Sequence, residues 1–288
     1  MTRFGPSPTG PLHLGHAYSA LLAHDFARER GGVFRLRIED IDPGRARAEH
    51  ADGIFEDLEW LGLEWDMDVM FQSARLDVYA DALQRLKERG LIYPCFCTRA
   101  EIAAEIAASA SAPHGTEGPV YPGTCRGPSE ADRERLRSKR PHAWRLDVAK
   151  ALNSRRGAPL LIWREGEREI VADPAPFGDV VLARKDAPAS YHLAVTIDDA
   201  AQGVTDVVRG QDLRASTHIH RLLQALLDLP SPTYHHHDLI ADASGRRLAK
   251  RHGALAIADL RAAGADPAAL VESLRAGLLP AGYSAAAP

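Results

Sequence analysis

The sequence predicts an α/β fold built on a nucleotide-binding unit, and three observations lead there. A loop stiffened by glycine and proline, Arg3-Phe4-Gly5-Pro6-Ser7-Pro8-Thr9-Gly10, runs into His13-Leu14-Gly15-His16 and then into a helical pattern. That helix meets a stop signal at Gly31-Gly32. From Val33 to Glu39 the chain alternates, with Phe34, Leu36 and Ile38 on one face and Arg35, Arg37 and Glu39 on the other, which reads as a half-exposed strand. Loop, helix and strand in this order form a Rossmann-type unit.

The loop also suggests chemistry. Backbone N–H groups and the positive end of a helix dipole seat a phosphate. His13 and His16 are three positions apart at the helix mouth, so both imidazoles are expected to face that phosphate, and Gly15 between them permits close approach of a ligand. A bare H-x-G-H would be equally at home on a surface loop; the preceding P-S-P-T-G argues against that.

Further along, Ile54, Leu58 and Leu61 form one helical stripe, and Leu76, Tyr79, Leu83 and Leu86 another, closed by Gly90. From Cys95 the composition shifts: 103–113 is alanine-rich and 115–128 turn-rich, which reads as an insertion. Val180 to Asp199 is expected to return to strand and loop, because Leu193, Val195 and Ile197 alternate before Asp198-Asp199. Thr217 to Leu229 reads as a helix stopped by Pro230, and the chain after Arg251 as a short helical tail. The expected organisation is a catalytic domain over 1–94 and 142–251, an insertion over 95–141 and a helical tail over 252–288.

With 288 residues the chain has ample material for a core. Its formal net charge of -4 excludes a globally basic nucleic-acid binder, so an RNA partner has to be met by local patches. Candidates are Arg133 to Arg140 and Arg246 to Arg251. No stretch is long and apolar enough for a bilayer span, and no signal peptide precedes the motif. A cytoplasmic, monomeric protein with no membrane association is expected. The three cysteines, Cys95, Cys97 and Cys125, are clustered as metal ligands are, not spread as a disulfide frame. Three thiolates need a fourth ligand for a closed tetrahedral zinc site, and chemistry alone proposes His114. The run His235-His236-His237 is expected to hold no metal, because neighbours in an extended chain point to opposite faces; no function is read into His218-Ile219-His220.

The P-S-P-T-G…H-x-G-H segment, the basic stretch Arg247-Leu248-Ala249-Lys250-Arg251 and the segment Val207 to Leu213 together resemble class I aminoacyl-tRNA synthetases of the glutamyl type. They are most similar to the short relatives called glutamyl-Q tRNA(Asp) synthetases. The resemblance runs from Arg3 to about Arg251 and implies a Rossmann-type class I synthetase catalytic domain with a zinc-binding insertion and a short helical C-terminal segment. It implies ATP, with Mg2+, and L-glutamate as substrates. His13, Gly15, His16 and Lys250 would contact ATP, with His13, His16 and Lys250 catalytic. Arg247 stands where the family usually has lysine, and Ala249 where it has serine. Arg3, Phe4, Gly5, Pro6, Ser7, Glu39, Tyr191 and Arg209 would form the glutamate pocket. Two guanidiniums suit two carboxylates, and Glu39 suits the ammonium. A C-x-C…Y-x-x-x-C pattern points to Tyr121 as the fourth ligand of a structural Zn2+, with His114 as rival. About forty residues follow the lysine segment, too few for the helical anticodon-binding region of full-length glutamyl enzymes. The short relatives activate glutamate without tRNA and attach it to queuosine in the anticodon of tRNA(Asp). The alternatives are a truncated synthetase charging a tRNA 3′ end and a non-catalytic RNA-binding relative.

Overall fold

Parallel pairing between the first strand and the strand after the first helix sets the frame. In the computed structural model, which describes residues 1–108, 114–115, 118–242, 255–279 and 283–285, β1 (Thr2–Phe4) lies beside β2 (Phe34–Ile38), with Arg3 opposite Arg35 and Phe4 opposite Leu36. β3 (Met70–Phe71) adds in parallel to β2. The crossover is α1 (Leu14–Arg28), whose Leu14, Ala17, Ala20, Leu21, Ala23 and Ala27 are buried. Gly31 ends it at φ 59°, the left-handed conformation the sequence predicts there.

A second parallel group repeats the device. β11 (Asp206–Gly210), β12 (Thr233–His237) and β8 (Ile162–Glu165) run parallel, with β9 (Arg168–Val171) antiparallel at the edge. α8 (Thr217–Leu227) is the crossover between β11 and β12. The two groups meet where Thr205 and Asp206 N–H donate to the Met1 carbonyl at 3.1 Å. A third, antiparallel sheet joins β10 (Val181–Ala183), β7 (Ala143–Leu146) and β4 (Ile92–Cys95). Between β4 and β7 lie α4 (Arg99–Ala108), the short pair β5 (His114–Gly115) and β6 (Gly118–Pro119), and α5 (Glu130–Arg137). α6 (Val148–Asn153) follows β7. After β13 (Ile240–Asp242) come α9 (Ile257–Ala262), α10 (Pro267–Arg275) and β14 (Tyr283–Ala285), which pairs with β13.

Of four hydrophobic clusters among the described residues, two are large. One joins Phe4, Leu14, Leu21, Phe34, Leu36 and Ile38 to Ile54 and Leu58 of α2 (Ala48–Trp60). The other joins Tyr79 and Leu86 of α3 (Leu76–Glu88) to Leu193, Ala194 and Ile197 of α7 (Tyr191–Ala201) and to Ile219, Leu222 and Leu226 of α8.

Two sequence expectations are corrected. The segment with alternating Leu193, Val195 and Ile197 is the helix α7, not strand and loop, and the Ser190 side chain caps it by accepting from Leu193 N–H. Every residue from Leu193 to Asp199 is buried, so no polar face marks the helical period. Nor is β2 half-exposed: Arg37 is 0% exposed. Its guanidinium donates to Asp199 at 2.8 Å, to Gln202 at 2.9 Å and to Glu39 at 3.1 and 3.3 Å. Asp199 also receives Arg3 Nε at 3.0 Å. The adjacent Asp198 receives Gln72 at 2.8 Å, Arg75 at 2.8 Å and the Tyr79 hydroxyl at 2.7 Å.

Burial alone would raise the Asp199 carboxyl, yet Arg3 and Arg37 hold it below its ordinary value. Asp199→Asn takes the paired carboxylate from buried Arg3 and leaves buried Arg37 with Glu39 alone, and is expected to destabilise the fold by about 3–5 kcal/mol in chemical denaturation. Because the folded pKa is the lower one, this contribution is fully present above the unfolded carboxyl range, near pH ~4, and is lost as pH falls through the folded value. The difference between wild type and variant is therefore expected to narrow on acidification.

Candidate active site and metal centre

A cavity of about 380 Å³ opens where β1, the mouth of α1, the end of β2 and the end of β11 converge. Of the residues singled out in the sequence, Arg3, Phe4, Gly5, Pro6, Ser7, His13, Gly15, His16, Glu39, Tyr191 and Arg209 all line it. Lys250 and the rest of 247–251 lie outside the described residues.

His13 is the N-cap of α1, and its Nδ1 accepts Gly15 N–H at 3.1 Å. His16 Nδ1 accepts His13 N–H at 3.2 Å, completing a reciprocal capping box built from imidazoles. The rings stack with centroids 3.6 Å apart. With both Nδ1 atoms accepting, each neutral ring carries its proton on Nε2. Two N–H donors thus sit at a helix N-terminus, the arrangement that stabilises phosphoryl oxygens.

The other wall is a charge network. Arg3 uses Nε on Asp199 and Nη1 on the Val208 carbonyl at 3.5 Å, and its Nη2 makes no hydrogen bond among the described residues. Glu39 closes β2 with its Oε1 on Arg37. A Cβ on residue 5 would approach that oxygen to 2.5 Å, so Gly5 gives the carboxylate its place. Burial raises the Glu39 pKa against the opposing pull of Arg37 and Arg3. Arg209 donates to the Tyr191 hydroxyl at 3.2 Å, and burial raises the Tyr191 pKa.

Arg37, Asp199, Asp198, His220, His236 and Glu165 were not expected in or behind the site. Some signals were present: Arg37 shares a strand face with Glu39, and Asp198-Asp199 interrupts an apolar run. The three histidines of β12 have separate partners. His235 meets Asp206 at 2.9 Å, His236 meets Glu165 at 2.9 Å, and His237 meets Ser19 at 3.1 Å.

The second centre is the cysteine cluster. The three Sγ atoms lie within 4.8 Å of one another. Cys97 and Cys125 sulfurs are 3.4 Å apart, and the Tyr121 hydroxyl is 3.5 Å from Cys95 Sγ and 3.6 Å from Cys97 Sγ. A tetrahedral zinc with Zn–S near 2.3 Å and Zn–O near 2.0 Å separates its ligand atoms by about 3.5–3.8 Å, so three thiols and a phenol fit. Arg145 stacks on the Tyr121 ring at 3.9 Å, while burial and the neighbouring thiols push the Tyr121 phenol up, so a bound cation would have to supply the pull toward phenolate. The His114 side chain lies outside the described residues. Arg126, next to Cys125, donates to buried Asp179 at 2.7 and 2.9 Å, tying the cluster to the strand β10 region.

A larger cavity of about 1180 Å³ lies beside this cluster and shares Tyr191 with the first. Arg45, Arg99, Arg145, Arg184 and Lys185 line it.

The family described as tRNA synthetases class I (E and Q), catalytic domain, matches residues 1–285. A glutamyl-Q tRNA(Asp) synthetase of Rhodobacter capsulatus is 50% identical over 273 residues, covering 93% of this chain and 97% of that one. One from Symbiobacterium thermophilum is 44% identical over 292 residues, covering 94% and 84%. The crystal structure of a glutamate-tRNA synthetase from Elizabethkingia anophelis superposes with a TM-score of 0.70 at 30% identity; it covers 88% of this chain, which spans 52% of that structure's chain.

The cluster geometry predicts that zinc content, measured by elemental analysis of the purified protein, falls from about one per chain to a small fraction in Tyr121→Phe and in Cys125→Ser. His114→Ala is expected to keep its zinc. The reverse pattern would move the fourth ligand to His114.

Proposed function

Because the chain belongs to the class I glutamyl and glutaminyl tRNA synthetase family, and within it to the glutamyl-Q tRNA(Asp) synthetases, we propose that it activates L-glutamate with ATP in the absence of RNA and transfers it to queuosine in the anticodon of tRNA(Asp). One observation supports this above the others: a single cavity offers a phosphate seat at His13 and His16 and a carboxylate and ammonium seat at Arg3, Arg209 and Glu39. A substrate with two carboxylates and one ammonium finds its charge complement there, beside the place where a nucleotide phosphate would lie.

In the first step a glutamate carboxylate oxygen attacks the α-phosphorus of magnesium-bound ATP. The mixed anhydride forms, the bond to the β-phosphate breaks, and pyrophosphate leaves with the electron pair. The Nε2–H groups of His13 and His16 stabilise charge building on the phosphoryl oxygens. Lys250 is assigned the departing pyrophosphate. Arg3 and Arg209 fix the glutamate, Glu39 takes its ammonium, and Ser7 and Tyr191 complete the pocket. In the second step a ring hydroxyl of queuosine attacks the acyl carbon, AMP leaves, and the hydroxyl proton is released.

The larger cavity is the proposed acceptor site. It opens onto the same Tyr191, and its arginines and Lys185 suit a phosphodiester backbone with an unstacked base. Residues 95–141 would act as a zinc-pinned module flanking that entry, set between catalytic segments 1–94 and 142–251, with 252–288 as a tail on a monomeric enzyme.

The test is glutamate-dependent exchange of pyrophosphate into ATP without RNA, followed by transfer of labelled glutamate to tRNA. Exchange without RNA is expected, with label on queuosine-bearing tRNA(Asp) that ribonuclease digestion assigns to the anticodon nucleoside. Exchange only with tRNA, and label on the 3′ adenosine, would replace this reading with 3′ charging. Arg3→Ala and Arg209→Ala are each expected to raise the glutamate KM about ten- to a hundredfold while the ATP KM stays nearly constant.

A further inference from the structure

Arg209 has five N–H donors, and the protein supplies an acceptor for each. Nε donates to His236 Nε2 at 3.1 Å. Nη2 donates to the Leu213 carbonyl at 3.0 Å and to the Thr217 hydroxyl at 2.7 Å. Nη1 meets the Tyr191 hydroxyl at 3.2 Å and His220 Nδ1 at 3.4 Å. Two of the five acceptors are therefore imidazole nitrogens, which accept only when unprotonated. His236 lies directly opposite Arg209 in the β11–β12 register.

Each imidazole is in turn fixed from behind. His236 Nδ1 faces both oxygens of Glu165, at 2.9 and 3.1 Å. That carboxylate also accepts His236 N–H at 3.0 Å and Arg214 Nε at 3.1 Å. A carboxylate on Nδ1 keeps the proton there and leaves Nε2 as an acceptor, the logic by which second-shell carboxylates orient histidines. On the other side, His220 Nε2 meets His192 Nδ1 at 3.2 Å. With Nδ1 accepting from Arg209, His220 carries its proton on Nε2 and donates to His192.

We propose that His236 and His220 are positioning residues for Arg209, neutral acceptors whose tautomers are set by Glu165 and His192, and that this relay presents the guanidinium to the substrate carboxylate in one orientation. The proposal rests on the reading above that Arg209 contacts glutamate. The surroundings agree with it. His236 is 2% exposed at its side chain, packed parallel to the Tyr234 ring and edge-on to Trp163. The charged groups facing it are Glu165, Arg209 and Arg214. Burial and the Arg209 charge push its pKa down to about 4, and burial with Arg209 holds His220 well below its ordinary value. Both rings stay neutral across the physiological range. Of the five acceptors, those of Tyr191 and Leu213 belong to residues that line the cavity with Arg209, and the two imidazoles do not line it. The relay anchors the edges away from that opening.

The test has two arms on the full chain. In the first, glutamate KM, ATP KM and kcat are measured by pyrophosphate exchange for His236→Leu, His236→Gln and Glu165→Gln. His236→Leu is expected to raise the glutamate KM about tenfold or more, with the ATP KM within about twofold of wild type. His236→Gln, whose side-chain oxygen can accept from Arg209 Nε, is expected to recover most of that loss, and Glu165→Gln to fall between. An unchanged glutamate KM in His236→Leu would overturn the proposal. So would glutamate and ATP KM rising together with no rescue by Gln, which marks a merely structural role. In the second arm, nitrogen-15 spectra of the ligand-free protein assign the His236 tautomer. Neutral imidazole protonated at Nδ1, without titration between pH ~5 and ~8, is expected. An Nε2–H tautomer, or titration in that window, would overturn the proposal. If wild type shows no glutamate-dependent exchange, the activity reading fails, and the spectra still decide this one.

Discussion

Asp199 accepts Arg3 and Arg37 on one oxygen while its neighbour Asp198 accepts Gln72, Arg75 and Tyr79, so one turn of α7 is bonded to both halves of the molecule. Successive residues on a helix point about 100° apart. Two adjacent carboxylates can therefore face two different cores, which a single acid could not. Arg3 and Glu39, which both line the cavity, are both referred to this turn, the first directly and the second through Arg37. These two cavity-lining charges are thus placed by a buried polar network and not by loop conformation. Such a network is costly to bury and costly to break, which makes it a rigid reference for the groups attached to it.

The histidine side of the cavity obeys a different constraint. His13 and His16 satisfy the exposed N–H groups of α1 through their Nδ1 atoms, and the same bonds direct the Nε2 protons. Helix formation and site formation are one event there. This explains why that region was legible in the sequence: cap, helix, Gly31 stop and strand are all local signals. The cysteine cluster was legible for the same reason, two of its thiols being two residues apart.

What escaped the sequence is long-range. Arg37 and Asp199 are 162 residues apart, and His236 and Glu165 are 71 apart. Nothing local distinguishes an arginine that will be wholly buried from one on a solvated face. The misread helix α7 shows the same effect, since burial on every side erased the period that would have identified it. The histidine runs at 218–220 and 235–237 offered no metal pattern and looked idle. Their contacts emerge only when β12 is set against β11 and α8 is laid across both. Lys250, the remaining predicted catalytic group, falls outside the described residues.

The full complement of acceptors around Arg209 bears on how an acid is told from its amide. A guanidinium with idle hydrogens would hold either one, because each brings an oxygen that can accept. On the proposed reading, a ligand oxygen would gain a hydrogen by displacing a neutral acceptor already in place, such as the cavity-lining Tyr191 hydroxyl. An amide oxygen would exchange one neutral acceptor for another and leave the balance almost unchanged. A carboxylate would replace a neutral bond with a charge-assisted one, roughly twice as strong. On that reading, saturation by the protein would turn binding at this arginine into a competition that charge decides, and glutamine would lose it to glutamate with no group required to repel it.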